Sequence, residues 1–382
     1  MSSRYNGRRA SVGKSRRRGV NPVSVLIAIL VLILAAILVV LTLKKETGAP
    51  PKEPDPIEDT VEPDVTEPDE PTPAPIARIE VFGDTQQYDS VYRVGDTGYE
   101  MYTYSDEVAK KYATCVNKVA DNLAGSARVF TLCPPLSSGI TLPDDLYALN
   151  VFSDQKEAEK NILGYLDENV IGVPLNDVMM QHRTEYVFYR TDHHWSSLGA
   201  YYAYTRFCDA AGFTAHAIDD YKTADFPGFL GSFYNDSGKS DKLSTNPDTV
   251  TAYYPVSPMV TMDVTEKSGN VISYDSVIYD ETEAPASFKY GAFISGDNPY
   301  TVMTNESMTD GSSCVVIKES FGNAFVPFLP DHYQTVYVID YRYWTGSLTE
   351  FVKTNGVDDV IFCNNLSALR NNSLMGQLYG IL

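Results

Sequence analysis

The chain has 382 residues and a formal net charge of −20 at pH 7, from 50 acids against 30 Lys and Arg. Nine of the bases lie in the first 45 residues and every acid follows them, so the rest carries 21 bases minus 50 acids, near −29. A surface of that sign repels phosphate backbones and excludes nucleic acid as a partner. The five cysteines are widely spaced with no CxxC, which argues against a disulfide scaffold. Cys133, Cys314 and Cys363 sit in apolar runs and read as buried free thiols.

Residues 1–22 form a basic tail with Arg4, Arg8, Arg9, Lys14, Arg16, Arg17 and Arg18 and no acid. Residues 23–43, "VSVLIAILVLILAAILVVLTL", are apolar apart from Ser24 and Thr42. At about 1.5 Å per residue they match a bilayer core of roughly 30 Å. The run is longer than the apolar core of a signal peptide, which predicts an uncleaved transmembrane helix. The arginine cluster predicts a cytoplasmic N-terminus, a single pass through the cell membrane and an extracellular C-terminal domain. Residues 44–76 hold nine prolines and ten acids and leave nothing to bury, so they read as a disordered, self-repelling linker.

From 77 to 382 the composition is that of a folded domain. The spacing of Val108, Tyr112, Cys115, Val119 and Leu123 predicts a helix over 105–125, closed by Gly125. "ARVFTLCPP" (127–135) reads as a buried strand stopped by prolines. A helix is expected over 153–170 with Ser153 as N-cap, then a short helix and a strand near 186–190. Residues 196–212 read as a helix capped by Ser and ended by Gly212. Residues 213–285, rich in Asp, Ser and Tyr, suggest strands or an inserted lobe. "SCVVIK" (313–318), "TVYVID" (335–340) and "DVIFCN" (359–364) read as parallel strands separated by helices or loops. That alternation predicts an α/β domain with a parallel sheet.

Two stretches carry chemistry. Ser320 follows the strand 313–318 at the carboxyl edge of the sheet, where open α/β sheets place their sites. The amides of Phe321, Gly322 and Asn323 at the following helix start are candidates to hold an oxyanion. A simple N-cap serine is the plainer reading of this segment alone. "YRTDHHWSSLGAYYAY" (189–204) concentrates two of five histidines and one of two tryptophans behind an aspartate. A serine nucleophile needs a base, and the base needs an orienting acid. Asp192 and His194, two apart in an extended turn, can face one way, which favours His194 over His193 as base. Trp195 would wall the site and His193 would support it. A satisfied surface His pair and a zinc site with His182 are the competing readings; the spacing to His182 matches no common zinc pattern. Asn364 or Asn365, at the end of the strand 359–364, could reach the site edge, with Asn323 competing, and Arg342 could meet a carboxylate or pair with one of the chain's own acids.

The block "YRTDHHWSSLGAYYAY" followed over a hundred residues later by "VVIKESFGNAFVPFL" resembles the DHHW protein family of Gram-positive bacteria. That family is similar to the SGNH-hydrolase-like domains of alginate O-acetylation proteins. The resemblance covers most of 77–382 and implies an SGNH-hydrolase-like three-layer fold. It implies Asp192 as orienting acid, His194 as base and Ser320 as nucleophile, in an order reversed from ordinary SGNH esterases. Glu319 stands where the family block more often has Asp, a change expected to leave the chemistry untouched. The implied activity is O-acetyltransferase or acetylesterase action on a cell-envelope polysaccharide or acetylated glycan, without cofactor or metal, beside a multi-spanning acyl exporter. The alternative is a non-catalytic polysaccharide-binding or scaffold protein of the same system.

Overall fold

A computed structural model describes residues 75–149 and 152–382. The basic tail, the apolar run 23–43 and nearly all of the linker lie outside the described residues. Among the described residues, no helix is long and apolar enough to cross a membrane.

The fold is mixed α/β around a central sheet of eight strands. Among the described residues the strands are β1 (Thr85–Gln87), β2 (Val91–Val94), β3 (Thr97–Glu100), β4 (Arg128–Leu132), β5 (Val170–Val173), β6 (Lys222–Phe229), β7 (Asp248–Tyr254), β8 (Val260–Thr265), β9 (Val271–Tyr274), β10 (Tyr300–Asn305), β11 (Ser313–Lys318), β12 (Thr335–Asp340) and β13 (Asp359–Cys363). The central order is β5-β4-β13-β11-β12-β10-β8-β9; β1-β2-β3 and β6-β7 form two small sheets. From β5 to β12 the pairing is parallel. The sheet then departs from the expected all-parallel form, because β10, β8 and β9 add antiparallel strands. The burial pattern explains the division. Every residue of β11 and β13 is buried, as in a strand covered on both faces, whereas β8 and β10 alternate as strands with one covered face do.

Helices cover both faces of the parallel part. Five are long enough to matter here: α1 (Asp106–Asn122), α2 (Gln155–Leu163), α3 (Ser197–Ala211), α4 (Leu348–Asn355) and α5 (Asn372–Tyr379). Phe130 and Thr131 are successive residues of β4 and so point to opposite faces. Phe130 packs edge-on against Phe207 of α3. Thr131 meets the Tyr112 hydroxyl of α1 at 2.5 Å, and Tyr112 packs against Phe362 on the paired strand. The parallel strands thus sit between α1 and α3, and one continuous apolar cluster fills both interfaces.

Several local expectations shift. Helix α2 stops at Leu163, where Gly164 follows, and its N-cap is Asp154, whose side chain accepts from Glu157 N. Ser153 instead accepts from Tyr104 N. Helix α1 ends at Asn122 with Leu123 as its cap; Gly125 lies beyond, in the left-handed region at φ +75°. No strand forms over 186–190, only a bridge between Phe188 and Trp195. After Ser320 only one helical turn forms, Gly322–Phe325, and it tightens into a 3₁₀ turn over Val326–Asp331. Pro327 and Pro330 in that turn have no amide to donate. Helix α3 begins with Ser196 accepting from Gly199 N and ends at Gly212 at φ +81°. All five cysteines are buried and free.

Candidate active site

The site lies at the carboxyl ends of the parallel strands, where β11, β12 and β13 deliver Ser320, Arg342 and Asn365 to one cavity of about 320 Å³. The loop before α3 brings the histidines to it from the side. Asp248, at the start of β7 and fully buried, clamps that loop. Its carboxylate accepts from Arg190 N at 3.0 Å, Thr191 N at 2.7 Å and Thr191 Oγ1 at 2.6 Å.

Asp192, His194 and Ser320 form one hydrogen-bonded chain. His194 Nε2 lies 2.7 Å from Ser320 Oγ, and His194 Nδ1 lies 2.5 Å from Asp192 Oδ1. Asp192 Oδ1 also accepts from the His194 amide at 2.9 Å, while Oδ2 accepts from Ser232 N at 2.8 Å. Burial alone would raise the Asp192 pKa, but the charges of His194 and His193 and these hydrogen bonds hold its carboxyl well below the usual range. Tyr290 stacks flat on the His194 ring at 4.0 Å and donates its hydroxyl to Ser320 O at 3.0 Å. The imidazole is therefore fixed by the carboxylate, by a stacked ring and by the serine it faces. Such an arrangement can move a proton from a serine hydroxyl to imidazole while the carboxylate holds the tautomer.

His193 takes a separate position. Its backbone N–H donates to Ser232 Oγ at 3.2 Å, and its Nδ1 lies 2.6 Å from the same oxygen. Ser232 thus accepts from the backbone and donates its proton to Nδ1, which turns Nε2–H away from that contact. Burial, together with the adjacent His194, pushes the His193 pKa down, which favours this neutral form. His193 lines the cavity and has no contact with Ser320 comparable to that of His194.

The expected oxyanion donors need correction. Phe321 N donates to Glu319 Oε2 at 3.2 Å, Gly322 N to Glu319 O at 3.0 Å and Asn323 N to Ser320 O at 3.1 Å, so all three amides are occupied. The Asn323 side chain donates to Asp297, and Asn364 donates to Ile317 O within the core. Asn365 is placed differently. Its Oδ1 accepts from Ser367 N at 2.7 Å and Ala368 N at 3.0 Å, which fixes the amide flip and leaves Nδ2 as the free donor of a residue that lines the cavity. Trp195 is fully buried and donates Nε1–H to Phe321 O at 2.9 Å, so it braces the serine turn from below and is not a cavity wall. Arg342 reaches the cavity but is held by Asp340 at 2.6 Å and Asp297 at 2.8 Å. Lys318, fully buried behind the serine turn, joins the same two carboxylates at 3.1 and 3.3 Å. Burial would raise the Asp297 pKa, yet Lys318 and Arg342 hold it far below the ordinary range.

Glu319 has more part in the site than its sequence position suggested. Its Oε1 accepts from Asn365 N at 3.0 Å, and Oε2 lies 3.4 Å from Ser320 Oγ. Burial raises its pKa. Gly231, too, had no signal in the sequence. A Cβ there would lie 2.1 Å from Asp192 Oδ2, so only glycine lets Ser232 N reach that oxygen. His182 pairs with Glu185 at 2.7 Å and stacks on Tyr202, so the zinc reading loses its third ligand. Asp192, His193 and His194 do place three ligand atoms within 4.8 Å of one another. Asp192 and His194, however, already bond each other, and His193 Nδ1 is taken by Ser232.

A family model described as DHHW protein matches residues 52–339. Among solved structures, a DHHW family protein from Eubacterium siraeum matches at 28% identity with a TM-score of 0.71, covering 78% of this chain and 98% of its own. Bacillus cereus PatB1 matches at 19% identity and a TM-score of 0.62, covering 78% and 99%; it has also been solved with a sulfonyl adduct. The O-acetyltransferase domain of Pseudomonas putida AlgJ matches more distantly, at 14% identity and a TM-score of 0.41, covering 74% and 96%. No curated protein matches the chain.

Proposed function

The chain belongs to the DHHW protein family, and from that premise we propose that it is a serine acyl-ester enzyme, an O-acetyltransferase or acetylesterase acting on a cell-envelope polysaccharide. One observation carries the reading: Ser320 Oγ is 2.7 Å from His194 Nε2, and His194 Nδ1 is 2.5 Å from the buried Asp192 carboxylate. Ser320 Oγ attacks the ester carbonyl as His194 takes its proton. The leaving hydroxyl departs with that proton, and the acetyl group stays on Ser320. A sugar hydroxyl or a water, deprotonated by His194, then takes the acetyl group and frees the serine. Asp192 holds the tautomer throughout. The Ser320 amide, which has no acceptor among the described residues, and Asn365 Nδ2 are the donors offered to the oxyanion.

The apolar run 23–43, behind its arginines, supports a single-pass anchor that leaves the domain extracellular. An acetyl donor would then reach the site through a separate multi-spanning exporter. The test is exposure of the full-length protein, wild type and Ser320→Ala, to a sulfonyl fluoride and to p-nitrophenyl acetate, with the modified peptide identified by mass spectrometry. The expected result is a Ser320 adduct in the wild type and none in the variant. Faster deacylation with added glycan would mark a transferase. A folded wild type without any adduct would return the chain to the alternative of a polysaccharide-binding or scaffold protein.

A further inference from the structure

The cavity at Ser320 does not end there. A second hollow of about 410 Å³ lies beside it, and Ser367 and Asn371 line both. Together they make one trough that runs from Ser320 past these two residues to Arg370 and the segment Thr103–Ser105. Each hollow is near the small end of pockets that hold small molecules, roughly 300–1,000 Å³. The two in line suit an extended chain better than one compact ligand.

The charge accounting of this trough is one-sided. Two guanidiniums line it, and both already have carboxylate partners. Arg342 is held by Asp340 and Asp297, and Arg370 by Glu100 at 3.0 Å. Lys111, beside the far end, is held by Glu107 at 2.7 Å and donates to Asn372 Oδ1 at 2.8 Å. Among the described lining residues no cation is left unpaired, whereas of the three carboxyls there only Glu100 has a cation partner, leaving Glu319 and Asp236 without one. An incoming carboxylate or phosphate would find no free positive partner there and would face carboxyls of its own sign.

The remaining polar groups are neutral and oriented. Asn371 repeats the device of Asn365: its Oδ1 accepts from Ser373 N and Leu374 N, which leaves Nδ2 as a donor. Leu374 and Tyr104, both half-buried, supply apolar surface along the same path. Uncharged donors beside apolar surface match the mixed hydroxyl and ring-face pattern of sugars. We infer that the trough takes a linear neutral glycan and rejects uronate- or phosphate-bearing polymers. This rests on the acyl-ester reading for what happens to the glycan, and not for whether it binds.

The experiment measures binding to the full-length Ser320→Ala protein by calorimetry. The probes are neutral cello- and N-acetylglucosamine hexasaccharides, and a hexauronate of equal length. The expected result is binding of at least one neutral probe about tenfold tighter than the uronate. Its affinity should change less than about twofold between roughly 20 and 200 mM salt, because no ion pair forms. Glu100→Gln should free Arg370 and raise uronate affinity about fivefold at low salt relative to that of the neutral probes. Equal or tighter uronate binding by the Ser320→Ala protein, or no binding of either neutral probe, overturns the inference. Ser320 sulfonylation of the wild type is read in parallel. Adduct without neutral binding sinks the trough reading alone, and neutral binding without adduct sinks the enzyme reading alone.

Discussion

Two segments meet at Ser320, and each buries a carboxyl beside it. The loop before α3 brings Asp192, and the turn after β11 brings Glu319. Asp192 is 5% exposed and Glu319 is 4% exposed, and each accepts from two backbone amides. Their protonation nevertheless runs in opposite directions: Asp192 is held well below the usual carboxyl range and Glu319 is raised above it. Depth and amide bonds therefore do not decide the outcome. The difference is the imidazole. Asp192 touches His194 Nδ1 at 2.5 Å, while the positive groups acting on Glu319 do so without such a contact. One acid is held ionised against the His194 imidazole; the other is shifted toward its neutral form beside Ser320 Oγ.

The largest effect should come from removing the charge on the Asp192 side. Asp192→Asn keeps the shape but offers the wrong partner to His194 Nδ1. Acylation of Ser320 by p-nitrophenyl acetate should fall about 10³–10⁴-fold with the fold intact, as for comparable acid-to-amide changes in serine triads. A loss below about tenfold would mean the carboxylate does not set the tautomer. Next comes Gly231→Ala, which leaves every reacting group in place. Its new Cβ would lie 2.1 Å from Asp192 Oδ2 and 2.3 Å from its Cβ, so the aspartate must shift. A displacement of about 1 Å costs roughly 10²-fold in rate. Single-turnover acylation would read it, and an unchanged rate would show that the loop can yield.

The sequence carried the two ends of this site better than its supports. Strands β11, β12 and β13 were legible because each is a continuous apolar run bounded by turn residues, as strands covered on both faces are. The histidine pair stood out because the chain has so few histidines. Gly231, Ser232 and Asp248 were not legible, since they lie in 213–285, where no period of two or 3.6 announces an element. Their roles depend on contacts about 40 and 57 residues away in the chain. Strands β8 and β10 pass as turn-rich sequence because their half-exposed faces carry Thr, Asp and Tyr. Tyr290 stacks on His194 from nearly a hundred residues downstream, and only the folded backbone relates the two. Glu319 was read as incidental because a side chain that grips neighbouring amides leaves no pattern in its own segment.

The smallest effect belongs to Glu319→Gln, and it tests the other half of the contrast. A carboxyl with a raised folded pKa contributes stability that is present below its unfolded pKa and lost as pH rises through the folded one. Ionised Glu319 would also set a negative charge 3.4 Å from Ser320 Oγ. In the wild type, thermal stability should therefore decline on the alkaline side of the ordinary carboxyl range. Glutamine removes that titration. It can still accept from Asn365 N through Oε1 but leaves Phe321 N without its acceptor, at about 1–2 kcal/mol of stability. The expected result is a rate within about threefold of wild type near neutral pH, a lower melting temperature and a stability that varies less with pH. If Glu319→Gln instead lost activity on the scale of Asp192→Asn, Glu319 would be acting as an ionised partner, and the two acids flanking the serine would share one role.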